Sequence, residues 1–124
     1  MAAASGRDRV LTAIDARMGE VYAAAYVRDG TGWRCQLEPT LCRPEMAPAL
    51  PGRWAGFGNG FDTGSAALQQ RYAMQLDHVD TSLCADARHI ATVAAATPRT
   101  KWLDPADAAP LYVRNKVALT IAER

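Results

Sequence analysis

Two apolar runs separated by a charged corner constrain this chain more than any other feature in it. The stretch VLTAIDARMGEVYAAAY runs from Val10 to Tyr26. Its middle, Asp15-Ala16-Arg17-Met18-Gly19-Glu20, sets three charged side chains into six residues. Valine, isoleucine and tyrosine on either side favour strands over helices. Two strands are therefore expected, from Val10 to Asp15 and from Glu20 to Arg28. In the second, Val21, Ala23, Ala25 and Val27 share one face, and Tyr22, Ala24 and Tyr26 share the other. Both faces are largely apolar, as in a strand covered on both sides. A corner of this kind places charges at a sheet edge.

The rest of the chain extends the pattern. Asp29-Gly30 supplies the positive φ angles of a tight hairpin. A third strand is expected from about Trp33 to Leu41, with Trp33, Cys35 and Leu37 alternating against Arg34, Gln36 and Glu38. Pro39 limits that strand or marks it as an edge. A short helix is expected from Pro44 to Leu50, with proline at its first position and Pro48 against it. A strand from Arg53 to Gly58 then runs into a series of glycines. A helix from Gly64 to Ala73 places Leu68 and Tyr72 four apart, and a strand follows from Met74 to Val79. The clearest helix runs from Ala85 to Ala96, with Ile90, Val93, Ala94 and Thr97 as its buried stripe and Pro98 as its end. The order gives an α/β fold, a three-stranded antiparallel meander extended into a mixed sheet with flanking helices. At 124 residues, 49% hydrophobic and 22% charged, the chain reads as a single globular domain. A chain of this size buries roughly two thirds of its unfolded surface.

Composition narrows the function. Fourteen basic and thirteen acidic residues leave a formal charge of +1. No basic stripe is visible, so direct nucleic-acid binding is not expected. Cys35, Cys42 and Cys84 form no CxxC pair and leave an odd one, which argues for reduced thiols and a cytoplasmic setting. His78 and His89 fit no HExxH pattern, so neither a metal nor a cofactor is expected. No apolar run reaches about 18 residues, so no membrane helix is expected. Met1 to Ala4 lack the basic start of a signal peptide.

Three clusters could carry function. Gly56, Gly58, Asn59 and Gly60 follow a strand, as phosphate loops do. No lysine completes a P-loop, and the alternative is a turn that needs close approach and positive φ. Asp15, Arg17 and Glu20 could form an acid/base cluster. Two carboxylates flanking an arginine suit a salt-bridged or partner-binding corner better. Tyr112, Arg114 and Asn115 either bind an anion or lock the tail to the sheet. Ser5, Ser65 and Ser82 have no nearby His/Asp pattern, and no cysteine has the context of a catalytic thiol.

The opening stretch resembles the TsaB (YeaZ) family of tRNA threonylcarbamoyladenosine biosynthesis. The family pattern is similar to D-A-R-x-x-E-V-Y between two strands, matched by Asp15, Ala16, Arg17, Glu20, Val21 and Tyr22. Gly56 to Phe61 resembles the family's glycine turn. Pro110, Tyr112, Arg114 and Asn115 match its closing P-x-Y-x-R-N element. The resemblance implies a lobe of the ribonuclease-H-like, actin-like ATPase fold. It further implies the second of two lobes alone, since the first would open with L-x-I-D-T and nothing of that kind precedes Ser5. Residues 1–8 would end a linking helix, 10–41 form the meander, 53–97 the α/β part and 105–124 the C-terminal tail. The resemblance also implies a non-catalytic subunit that supports TsaD, the metal-holding relative, with the ATPase TsaE joining them. Most of the TsaD contact would fall to the first lobe. His78 and His89 do not have the H-x-x-x-H spacing of that relative, and no residue set supports the peptidase chemistry of the older glycoprotease label. Two alternatives stand beside this reading. One is a nucleotide-dependent hydrolase or peptidase using the glycine turn. The other is a self-associating module, a homodimer, formed through an apolar face.

Overall fold

The computed structural model describes residues 1–114. Strands β1 (Arg9–Arg17), β2 (Glu20–Asp29) and β3 (Gly32–Cys42) form the antiparallel meander. Strands β4 (Trp54–Phe57) and β5 (Leu76–Asp80) extend it in parallel on the other side of β1. The sheet order is β3-β2-β1-β4-β5, a mixed sheet with β1 at its centre. Pro39 does not end β3. It sits on the edge strand, where Ala23 faces Thr40 and Ala25 faces Leu37, so Glu38 and Pro39 fall in a bulge. A missing N–H there costs no ladder bond.

The helical segments depart further from expectation. Between Pro44 and Leu50 only a 3₁₀ turn forms, Pro44–Met46. Ala47 is extended, with φ −56° and ψ 138°, because a residue before proline is kept out of the α region. Helix α1 is Thr63–Arg71, but Gly64, Ser65 and Ala66 are left-handed, with φ of 60°, 56° and 61°. The right-handed helix therefore starts only after Ala66. Strand β5 begins later than the alternation suggests. Met74 is 81% exposed, and the Gln75 and Leu76 amides turn back to the Tyr72 carbonyl. At the N-terminus a single 3₁₀ turn, Ala2–Ala4, stands where a helix end was expected.

One face of the sheet carries the main core. Leu11, Ala13, Val21, Ala23 and Ala25 pack there against Trp54, Phe61, Leu68 and Tyr72. The Pro44–Leu50 segment is held down by α1 and its end. Arg71 donates from Nε to the Ala47 carbonyl at 3.0 Å, and the Tyr72 hydroxyl donates to the Pro48 carbonyl. Burial pushes the Tyr72 phenol up to about 12.

The opposite face is thinly covered. Val10, Ala55 and Phe57 pack there with Met1, Ala2, Trp33 and Leu83. Helix α2 (Ala87–Ala96) lies over this face but buries none of its residues. Ile90 is 67% and Val93 48% exposed, so the expected stripe is not a buried one. An open groove of about 520 Å³ lies between α2 and the sheet, bordered by Thr12, Tyr26, Trp33, Ile90 and Val93. Helical periodicity reports an apolar face but not what covers it. The helix start is held locally, since Asp86 accepts the Arg88 amide at 2.8 Å and pairs with its guanidinium at 2.7 Å. The Arg88 side chain holds that carboxyl at about 2. Among the described residues no helix is long and apolar enough to cross a membrane.

The two faces predict opposite mutational costs. Leu68→Ala should destabilise the chain by about 2–5 kcal/mol in urea unfolding, and Ile90→Ala by less than about 0.5 kcal/mol. Equal costs at the two positions would mean that α2 is packed after all.

Candidate functional site

The charged corner is a tight hairpin. Met18 and Gly19 form the two-residue loop between the paired Arg17 and Glu20. Their φ values are 58° and 74°, the two positive angles of a type I′ turn. Arg17 is also left-handed, at φ 64°, and the register shifts between Asp15 and Arg17 to admit Ala16. Asp15 stabilises that shape by accepting the Arg17 amide at 2.8 Å. Its other oxygen lies 3.4 Å from the Arg17 guanidinium, a side chain that is 87% exposed. A solvated pair of that kind contributes roughly 0.2–1 kcal/mol.

The glycine turn lies against this hairpin. After β4, Gly58 (φ 111°) leads into the 3₁₀ turn Asn59–Asp62. A Cβ on Gly58 would collide with the Ala13 carbonyl oxygen. One on Gly60 would come within 2.8 Å of the Ala13 carbonyl carbon and the Ile14 nitrogen. One on Gly56 would lie 2.7 Å from the Phe61 ring. These glycines therefore permit backbone contact with β1 and ring packing beneath β4. The turn's polar groups look inward as well. The Gly58 amide donates to the Asp80 carbonyl at 2.9 Å, and the Asn59 Oδ1 accepts the Asp15 amide at 3.0 Å.

The tail approaches from the other face of the sheet. Arg114 Nη2 donates to Glu20 Oε2 at 2.8 Å and to the Ala16 carbonyl at 2.9 Å. Tyr22 beside this guanidinium, together with Glu20, pushes the arginine above its ordinary value. The Arg114 side chain is only 13% exposed, which makes this the shielded ion pair of the corner. Leu111, Val113 and Arg114 border a hollow with Ile14, Ala16 and Tyr22. Tyr112 is 78% exposed, and Asn115 lies outside the described residues.

The charged corner, the glycine turn and Arg114 thus meet at one end of the sheet. Asp15 contacts Asn59 and Arg17, and Glu20 and Tyr22 contact Arg114. The two carboxylates of the corner are held by different arginines and do not share Arg17. Among the described residues no group of three His, Cys, Asp or Glu side chains could hold a metal ion. Ser82 donates to Asp80 at 2.6 Å. The residue that sequence reasoning missed is Ala13, whose backbone receives the glycine turn. Its signal was indirect, a glycine at every second position after β4.

No family model matches the chain. The tRNA threonylcarbamoyladenosine biosynthesis protein TsaB of Escherichia coli (strain K12) is 33% identical over 120 residues, 92% of this chain. The chain is similar to TsaB across nearly its whole length. It spans about half the length of that curated relative, 51%. A crystal structure described as an uncharacterized protein with similarity to peptidase YEAZ from Pseudomonas aeruginosa superposes with a TM-score of 0.70 at 28% identity. That match covers 90% of this chain and 51% of the other. YeaZ from Pseudomonas aeruginosa superposes at 0.58 with 26% identity, over 74% of this chain and 42% of its own. Asp15, Ala16, Glu20, Asn59 and Arg114, which lie within the motifs of the sequence resemblance, converge at the corner.

The Arg114 contacts make a specific prediction about the tail. Arg114→Ala should raise chymotrypsin cleavage after Tyr112 several-fold while the urea midpoint of the sheet stays close to the parent's. Unchanged cleavage would mean that the tail is held by other contacts.

Proposed function

We propose that this chain acts in tRNA threonylcarbamoyladenosine biosynthesis as a non-catalytic scaffold. In this reading it is the second lobe of a TsaB-like protein that supports TsaD in the cytoplasm, with TsaE in the same complex. The observation that carries the reading is the 33% identity to TsaB across 92% of the chain.

The corner geometry favours a partner surface over proton transfer. Asp15 is committed to the Arg17 amide and to the shape of the turn. Glu20 is committed to Arg114. A general base needs a free carboxylate within hydrogen-bond reach of a substrate proton. What the corner leaves available is the outward Arg17 guanidinium beside Met18, which is 75% exposed. A cation and a thioether on a hairpin with fixed geometry are suited to contact with another protein.

The test is made in cells depleted of TsaB and supplied with full-length protein carrying Arg17→Ala and Glu20→Ala. Threonylcarbamoyladenosine in their tRNA, measured by mass spectrometry, should fall several-fold. An undiminished level in a variant that keeps the parent's unfolding midpoint would contradict a role for the corner.

A further inference from the structure

Arg9 opens β1 with a guanidinium held on three sides. Its Nε donates to the Arg53 carbonyl at 3.1 Å and its Nη2 to the Pro51 carbonyl at 2.9 Å. Its guanidinium carbon sits 4.3 Å over the Trp54 ring. Gly52, at φ 81°, lets the loop close on it, since a Cβ there would stand 3.1 Å from Arg9 Nη2. All of these partners are neutral. Among the described residues, no ion pair engages Arg9, Arg7 or Arg53.

The three arginines border one hollow of about 360 Å³, together with Asp8 and Asp77. Asp8 is taken by Arg28 at 2.7 Å. Three cations therefore face the hollow against one uncommitted carboxylate. A guanidinium fixed by carbonyls and an aromatic ring keeps its charge and gives up little further freedom when it meets an oxyanion.

We propose that this hollow binds an anion of the phosphate class, with Arg9 as its fixed centre and Arg7 and Arg53 as its mobile arms. The proposal does not depend on the function argued above. The site is hidden in the sequence because Arg9 and Arg53 are 44 positions apart and meet only through the parallel pairing of β1 with β4. A near-neutral chain can hold such a site, because the net charge says nothing about where the charges lie.

The phosphate has two possible sources, a free phosphate or phosphomonoester and the backbone of a nucleic acid. Nuclear magnetic resonance of the Arg9 Nε–H and the Trp54 indole N–H separates them. Sodium phosphate is titrated against sodium chloride at equal ionic strength, and an RNA hairpin is titrated in a second series. Phosphate should shift both signals saturably and chloride should not. Affinity should fall at least tenfold in Arg7→Ala with Arg53→Ala, two side chains with no hydrogen bond to lose among the described residues. It should persist in Arg34→Ala with Arg43→Ala, which removes the same charge elsewhere. RNA binding at the same signals, with a logarithmic salt slope of about −2 to −3 for about three contacts, assigns the backbone. Phosphate binding without RNA binding assigns the free anion. The same shifts with chloride, no response to phosphate or RNA, or full affinity without Arg7 and Arg53 would overturn the proposal.

Discussion

The approach of Gly58 and Gly60 to the backbone of β1 is the contact on which the corner depends. Only residues without a Cβ can lie against Ala13 at this distance. That closeness brings the Asn59 side chain to the Asp15 amide and the Gly58 amide to the Asp80 carbonyl. One turn thus ties together β1, β4 and β5. From the opposite face, Arg114 reaches Glu20, Tyr22 and the Ala16 carbonyl. The hairpin tip is gripped on both sides of the sheet, which is why a turn with three left-handed residues in succession holds one shape.

Commitment of the polar groups also bears on the supporting role proposed for the corner. Catalytic sites leave titratable groups poised toward a substrate. Here Asp15 and Glu20 each already hold an arginine, and the Asn59 oxygen already accepts an amide. The same reasoning separates the glycine turn from a phosphate loop. The Gly58 amide is spent on Asp80, and the missing side chains serve the packing of β1. The corner is better understood as a surface of fixed geometry than as a reaction centre.

The strands were legible in the sequence and the helices less so, for physical reasons. Alternation in β2 maps directly onto a sheet because each residue's face follows from its position. In β3 a bulge at Gln36, between the Tyr26–Cys35 and Ala25–Leu37 pairs, sends Trp33 and Leu37 to opposite faces and not to the one face that the alternation predicts. The strand pattern survived even Pro39, since an edge bulge absorbs a missing donor. Helix packing is a different matter. Ile90 and Val93 have the right spacing in a helix that nothing described here covers. Pro44 began only a single turn because Pro48 holds Ala47 extended. The site was legible as three separate motifs. Their meeting was not, because it depends on the register of β1 against β4 and on the path of the tail across the sheet. The arginine hollow left only Arg7 and Arg9 close together in the sequence, with no sign of Arg53.

The coupling of the glycine turn to the charged corner is the centre of this account, and hydrogen exchange at one amide tests it most directly. The Asp15 N–H has its acceptor in the Asn59 side chain. In Asn59→Ala the Asp15 amide should exchange about tenfold faster or more, with the neighbouring Arg17 amide following it and the ladder amides of β2 unchanged. An Asp15 amide as protected as in the parent would contradict the account, because the corner would then hold its shape without the turn.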